Sequence, residues 1–180
     1  MAVLPVRTFG DPVLRQRAGE VERVDDLHVR LIEDMIETMR AAPGVGLAGP
    51  QVGVLDRVFV YEVEEEKGAL LNPVITWTSP EKVEEEEGCL SLPGLLYPVE
   101  RHLAVRVEGL DQSGAPVVKG AEGLLARVFQ HEIDHLDGVL FVDRLPAGLR
   151  KKAMRELTDL SLGLPQTTSA RSIAASEEIL

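Results

Sequence analysis

The sequence lacks the features of disulfide-bonded, secreted and membrane-spanning proteins. A single cysteine in 180 residues excludes an internal disulfide. No apolar run approaches the length of a membrane span, so we expect no membrane partner. Residues 1–7 contain no charged leader followed by an apolar core, which leads us to expect a cytoplasmic protein without a secretory signal. The chain is long enough to form one domain with its own core.

Positive charge is also scarce in this chain. Its 19 Lys and Arg residues against 30 Asp and Glu give a formal net charge of −11. The chain should therefore repel phosphate backbones at long range, and DNA is not an expected partner. Basic residues are concentrated near the end of the chain, at Arg150, Lys151, Lys152 and Arg155. This cluster is either a solvated helix face or a local contact with an RNA-rich partner.

A first helix is predicted where apolar residues recur at helical spacing from Asp25 to Arg40. Asp25 or Asp26 is suited to the N-cap, and Pro43 with Gly44 should stop the helix. A second helix is predicted over Gly123–Leu136. Its apolar residues lie on several faces, so we expect it to be enclosed by the rest of the protein.

The basic cluster belongs to a third predicted helix, at about residues 146–162, which is apolar on its other side. This helix should complete a single domain that spans residues 1–163. Residues 164–180 have no hydrophobic periodicity, and we expect them to form a flexible tail.

Between these helices, short runs of β-forming residues predict antiparallel strands at 57–77 and at 103–118. The glycine-rich segment 44–53 is predicted to be a loop whose backbone another group can approach closely. The sequence therefore predicts an α+β fold, in which antiparallel β-sheets surround the central helix Gly123–Leu136.

The central helix contains a metal-binding pattern. His131 and His135 are four residues apart, so both imidazoles project from one helical face and can reach a single ion. Glu132 lies between them, where its carboxyl group can sit beside water on that ion. We therefore predict that this is a metal-binding helix.

A catalytic metal usually has three protein ligands and one open position, so a third ligand must come from elsewhere. One metalloprotease class requires a histidine at 141, but this chain has Phe141. A second class takes a glutamate from a later helix, and Glu156 is a candidate. The remaining candidate is Cys89. A lone cysteine is most often an inert core residue, but the neighbouring Gly88 permits close approach to a metal.

Three segments of the chain resemble the motifs of the peptide deformylases, in the same order. The family pattern GxGxAAxQ corresponds to Gly44–Gln51, EGCLS to Glu87–Ser91 and QHExDH to Gln130–His135. The last two match completely, whereas Gly49 stands where the family usually has alanine. The similarity in order and spacing covers about residues 3–160.

This resemblance implies a peptide deformylase-like fold and an enzyme that removes the N-terminal formyl group from formyl-methionyl nascent peptides. It implies Cys89, His131 and His135 as the metal ligands. Family members resemble one another in using iron, which is lost on oxidation and replaced by zinc or nickel. We therefore expect Fe²⁺ in the active form, with Zn²⁺ or Ni²⁺ as possible substitutes.

The resemblance also implies roles in the reaction itself. Glu132 is the implied general acid and base, and a bound divalent ion would lower the pKa of its water toward about 7. The side chain of Gln51 and the backbone N–H of Leu90 are the implied donors to the oxyanion. The backbone of Gly46 is the implied contact with the substrate.

Further residues are candidates for supporting roles. Val45, Leu124 and Val128 are candidate walls of an apolar slot for the methionine side chain, although each is equally compatible with ordinary core packing. Glu87 and Arg101 are candidates for a charged pair that braces the cysteine ligand.

Two other functions remain open at this point. The chain would be a general metallopeptidase if Glu156 supplied the third ligand, or a metal-binding scaffold if it had lost turnover. If the chain is a deformylase, the basic helix suggests a contact with the ribosome, because nascent peptides emerge there.

Overall fold

The structure is a computed structural model, and it describes residues 2–163. The predicted tail at 164–180 lies outside the described residues. The three α-helices in the described range are Asp26–Ala41 (α1), Gly123–Leu136 (α2) and Ala147–Ser161 (α3). The strands are Gly46–Ala48 (β1), Val58–Val63 (β2), Glu66–Thr78 (β3), Lys82–Glu87 (β4), Tyr97–His102 (β5), Ala104–Leu110 (β6) and Pro116–Glu122 (β7).

The strands form two antiparallel sheets. The larger sheet has the order β1-β2-β3-β6-β7, and the smaller one pairs β4 with β5. Helix α2 contacts strands of both sheets. The predicted α+β fold, with antiparallel sheets around a central helix, is therefore confirmed. Among residues 2–163, no helix combines the length and the apolarity needed to cross a bilayer.

Helix α1 begins and ends close to the predicted positions. The side chain of Asp25 accepts hydrogen bonds from the backbone N–H groups of Leu27 and His28, at 3.0 and 3.2 Å, and so caps two otherwise unpaired donors. The buried face of the helix, which includes Met35 and Met39, packs with residues of β1 and β2 in one apolar cluster. Helix α1 therefore covers one face of the larger sheet.

Helix α2 is enclosed as predicted, because every residue from Ala126 to Leu136 is buried. Phe129 packs edge-on against Phe59 and Tyr61 of β2, with ring centroids 5.5 and 4.9 Å apart. This contact fixes one side of α2 against the larger sheet. His131 is two residues further on, so it projects from roughly the opposite side of the helix.

The opposite side of α2 is covered by a second apolar cluster, which contains Cys89. Ala153 and Leu157 of α3 lie in this cluster together with Phe141. Helix α3 therefore packs over the segment that carries the cysteine, and its basic residues remain on the outer side.

Two predictions about the strands were incomplete. The segment predicted as a loop contains β1, which pairs with β2 through Leu47 and Val60, and a 3₁₀ turn at Gly49–Val52. The high glycine content of the segment favoured a loop in the prediction, but Leu47 and Ala48 of this strand are fully buried. Strands β4 and β5 were not predicted, because β4 contains four consecutive glutamates. In the structure, only Glu87 among these four side chains is buried.

The end of α2 provides a test of the fold. Gly138 has φ +73°, and a Cβ atom there would lie 2.7 Å from the carbonyl oxygen of Arg15. Gly138→Ala should therefore lower the free energy of unfolding by about 1–3 kcal/mol, as measured by urea denaturation. Gly148→Ala is the matched control, because its added methyl group would meet nothing within 4 Å. Equal stabilities of the two variants would contradict this packing.

Candidate active site and metal centre

Cys89, His131 and His135 converge on one point, although they come from distant parts of the chain. Cys89 follows β4, and the two histidines lie one turn apart on α2. The Cys89 Sγ atom is 3.2 Å from His135 Nε2, which is 3.2 Å from His131 Nε2. The three atoms all lie within 4.8 Å of one another, and all three side chains are buried.

This arrangement fits a divalent transition-metal ion. Two nitrogens that bind one zinc ion tetrahedrally, at about 2.0–2.1 Å, are about 3.3 Å apart. The observed separation of the two Nε2 atoms is 3.2 Å. One thiolate and two imidazoles suit zinc or ferrous iron and leave a coordination position open.

Burial controls the protonation of two of these groups. It raises the pKa of the Cys89 thiol to about 12, even though the backbone N–H groups of Ser91 and Leu92 favour the thiolate. Burial lowers the pKa of His135 well below its ordinary value, and the charge of His131 lowers it further. His135 is therefore a neutral imidazole at pH 7, whereas Cys89 must lose a proton before it can bind a metal.

The carboxyl group of Glu132 is fully buried, and neither of its oxygens has a hydrogen-bond partner among the described residues. Burial raises the pKa of Glu132 well above the ordinary value, and the negative charge of Glu87 raises it further. A Cβ atom on Gly46 would lie 2.4 Å from Glu132 Oε1. The absence of a side chain at Gly46 therefore leaves the space that Glu132 occupies.

Gln51 is brought to the metal-ligand cluster by the 3₁₀ turn that follows β1. Its Oε1 atom accepts a hydrogen bond from the backbone N–H of Ala48 at 2.7 Å, which orients the side-chain amide. Its Nε2 atom then donates toward Cys89 Sγ at 3.7 Å. Leu90 is partly buried in the turn directly after Cys89. The backbone N–H groups that bond the sulfur atom are those of the next two residues, Ser91 and Leu92.

The candidate pair of Glu87 and Arg101 is present and reaches a metal-ligand side chain. Arg101 donates two hydrogen bonds to the Glu87 carboxylate, at 2.8 and 3.0 Å. His131 Nδ1 donates to Glu87 Oε2 at 3.1 Å, so its Nε2 atom is free to face the cluster. Burial alone would raise the pKa of Glu87, but hydrogen bonds from His131 and Arg101 outweigh burial and hold it well below its usual range.

Three charged residues of this network were missed by the sequence analysis. Arg127 donates to Glu87 at 2.8 Å, Arg101 donates to Asp134 at 2.7 Å, and Arg144 also donates to Asp134. Asp134 was part of a recognised motif without an assigned role. The signal for Arg127 was a charged residue in a helix expected to be enclosed, since such a charge needs partners.

The candidate walls of the substrate site are only partly brought together. Val128 adjoins Gly46, because a Cβ atom on that glycine would lie 3.0 Å from it. Val45 and Val128 belong to one buried apolar cluster. Leu124, in contrast, is 39% exposed at the start of α2.

The alternative third ligand, Glu156, does not join the cluster. Glu156 accepts a hydrogen bond from the Tyr97 hydroxyl at 2.8 Å, and its carboxylate is not among the converging ligand atoms of residues 2–163. The Phe141 ring stacks on His131 with centroids 6.3 Å apart and supplies no donor atom. Fold and site therefore define a hydrolase class in which a His-Glu-x-x-His helix is completed by a cysteine.

Comparisons with known proteins identify the family. The polypeptide deformylase family model matches residues 3–151. A peptide deformylase of Acidothermus cellulolyticus is 53% identical over 159 residues, which is 88% of either chain. The crystal structure of peptide deformylase from Thermus thermophilus has a TM-score of 0.83 and 48% identity, and covers 89% of this chain and 99% of its own.

A further solved structure, peptide deformylase from Ehrlichia chaffeensis in complex with actinonin, has a TM-score of 0.84 and 40% identity. It covers 89% of this chain and 98% of its own. This chain belongs to the polypeptide deformylase family, a metal-dependent family of hydrolases that acts in protein biosynthesis.

The state of Cys89 predicts how metal binding depends on pH. Because burial raises the pKa of the thiol to about 12, the thiol is protonated at pH 7.5, and a metal that binds the sulfur displaces this proton into the solvent. Zn²⁺ binding should therefore release at least one proton per ion and tighten as the pH rises. Calorimetric titrations in buffers of different ionisation enthalpy measure this number. Cys89→Ala should bind Zn²⁺ more weakly and release one proton fewer, whereas binding without proton release by the wild type would contradict the expectation.

Proposed function

We propose that this chain removes the N-terminal formyl group from formyl-methionyl peptides and releases formate. The observation that carries the proposal is the convergence of Cys89, His131 and His135 beside the buried, unpartnered carboxyl group of Glu132. Membership of the polypeptide deformylase family supports the choice of substrate. The rival metallopeptidase lacks support, because Glu156 is engaged by Tyr97.

Cys89, His131 and His135 would hold the metal. When bound, a divalent ion supplies Lewis acidity, which makes water a better nucleophile near neutral pH and polarises a carbonyl group. We propose Fe²⁺ in the active form, with Zn²⁺ or Ni²⁺ as substitutes, because ferrous iron expands its coordination more readily than zinc. Glu87 orients His131 for this role through the Nδ1 hydrogen bond.

Glu132 would act first as general base and then as general acid. A carboxyl group with a raised pKa can take the proton of the attacking water and pass it to the departing amine. The side-chain amide of Gln51 and the backbone N–H of Leu90 would donate to the oxyanion that develops on the formyl oxygen. Gln51 Nε2 lies 3.7 Å from Cys89 Sγ, and the Gln51 side chain is already held by its bond to Ala48. Leu90 follows Cys89 directly in the chain.

The close packing around Glu132 supports selection of the formyl group. A formyl carbon carries only hydrogen, so it requires less room than an acetyl group. The backbone of Gly46 would bind the substrate where β1 forms an edge of the larger sheet. Val45, Val128 and the half-exposed Leu124 would line the slot for the unbranched methionine side chain.

We further propose that the chain works in the cytoplasm as a single catalytic domain over residues 1–163 and meets its substrate at the ribosome. Part of the basic cluster on α3 is engaged within the protein, since Arg150 donates to Asp143 at 2.8 Å. Lys151 and Arg155 are exposed on the outer side of the helix. These two side chains are therefore the best placed to contact RNA.

The acid and base role is tested by Glu132→Gln. The amide has nearly the same shape but cannot carry a proton between water and amine, so formate release from a formyl-Met peptide should fall by about 10²- to 10⁴-fold. Metal content, measured by atomic spectrometry, should stay the same. An acetyl-Met peptide should not be cleaved by the wild-type enzyme. Wild-type turnover by the variant would contradict the role of Glu132 without excluding a deformylase.

The ribosome contact is tested by Lys151→Glu with Arg155→Glu. Co-sedimentation with ribosomes should weaken by at least about tenfold at low salt, because both charges change sign on the face proposed to meet RNA. Arg23→Glu with Arg30→Glu is the matched control, since it alters the net charge equally at exposed sites on and just before α1 instead of on α3. Equal sedimentation of the two double variants would rule out the α3 surface as the contact.

A further inference from the structure

We propose that Arg127 is a positioning residue, which fixes the metal-ligand side chain of His131 by holding the carboxylate of Glu87. The proposal rests on the metal site described under the proposed function. It adds a residue outside the recognised motifs, at one helical turn before His131 on α2.

Arg127 contacts Glu87 directly. The Arg127 side chain is 3% exposed, and its NH1 group donates to Glu87 Oε1 at 2.8 Å. The other oxygen, Oε2, accepts the Nδ1–H of His131 at 3.1 Å. One carboxylate therefore joins the guanidinium group of Arg127 to the imidazole of His131.

Arg127 is itself held by further hydrogen bonds. Its NH1 group also donates to the carbonyl oxygen of Val99 on β5 at 2.9 Å. Its NH2 group donates to the carbonyl oxygen of Val83 on β4 at 3.1 Å, and its Nε donates to the Glu85 carboxylate at 3.2 Å. The planar guanidinium group is thus fixed by both strands of the smaller sheet.

Arg127 and Arg101 hold Glu87 from different elements. Arg101 meets Glu87 in a two-bond pair from β5. Arg101 is linked to α2 through Asp134, to which its NH1 group donates at 2.7 Å, while its other two bonds hold Glu87 from the strand side. Arg127 approaches Oε1 from α2 and so fixes the carboxylate relative to the helix that carries His131. The geometry therefore assigns to Arg127 the alignment of the imidazole toward the metal.

The test uses the metal-loaded chain after exchange to Co²⁺, whose visible absorption bands report the ligand geometry. Arg127→Met removes the donors but keeps the length of the side chain. It should weaken Co²⁺ binding by about 10- to 100-fold and change the visible spectrum. Arg127→Lys should recover part of the affinity, because one charged donor to Glu87 is restored.

Arg57→Met is the matched control. Arg57 is also buried and also holds α2, through the carbonyl oxygen of Leu136 and the carboxylate of Asp137, but it does not touch Glu87. This variant should lower the melting temperature while leaving Co²⁺ affinity and spectrum within about twofold of the wild type, since it changes no contact of the metal ligands.

The outcomes separate the two proposals. If the wild-type chain does not bind Co²⁺, the metal site and hence the proposed function are overturned. Normal Co²⁺ affinity and spectrum in Arg127→Met would overturn only the positioning role. If Arg127→Met fails to fold, Arg127→Gln replaces it, because the amide can still donate to the strand carbonyl groups. The same loss of affinity is expected, and wild-type affinity in Arg127→Gln would overturn the role equally.

Discussion

The site depends on how its two buried carboxyl groups are treated: one is paired with hydrogen-bond donors and the other is left unpaired within the described part of the chain. Glu87 and Glu132 are both 0% exposed, yet their environments are opposite. Glu87 is surrounded by donors, so its pKa lies below the ordinary range, whereas Glu132 has no partner and its pKa lies above that range. Two buried carboxyl groups with separated pKa values can divide the work, one as a permanent anion and the other as a proton carrier.

The fold holds Glu87 and Glu132 in these two different environments inside the protein. Helix α2 is fixed on one side by Phe129 against the larger sheet, and on the other side by charged contacts to the smaller sheet. The two sheets also supply what the helix lacks. Gly46 leaves room for Glu132, and the segment after β4 brings Cys89 to the histidines. A helix held by only one sheet would leave either the sulfur atom of Cys89 or Gly46 of β1 away from the histidines and Glu132.

Much of this arrangement was predictable, for reasons that differ between elements. The three helices have strong periodicity or a clear cap, and the motifs that contain Cys89, His131 and His135 are short stretches of sequence. Strand β4 was not predictable from propensity, because its glutamates disfavour a strand until Arg101 and Arg127 neutralise Glu87 from other elements. Arg127 was missed for the same reason. Its role depends on contacts 28 to 44 residues away, and no local pattern records them.

The central claim is that one sulfur and two imidazole nitrogens share a single cation. X-ray absorption at the metal edge of the anaerobically purified protein measures this most directly, and the edge energy also identifies the element. The account predicts one sulfur at about 2.3 Å and two nitrogen neighbours at about 2.0–2.1 Å if the ion is zinc, with slightly longer distances for iron. A first shell of nitrogen and oxygen without sulfur would contradict it.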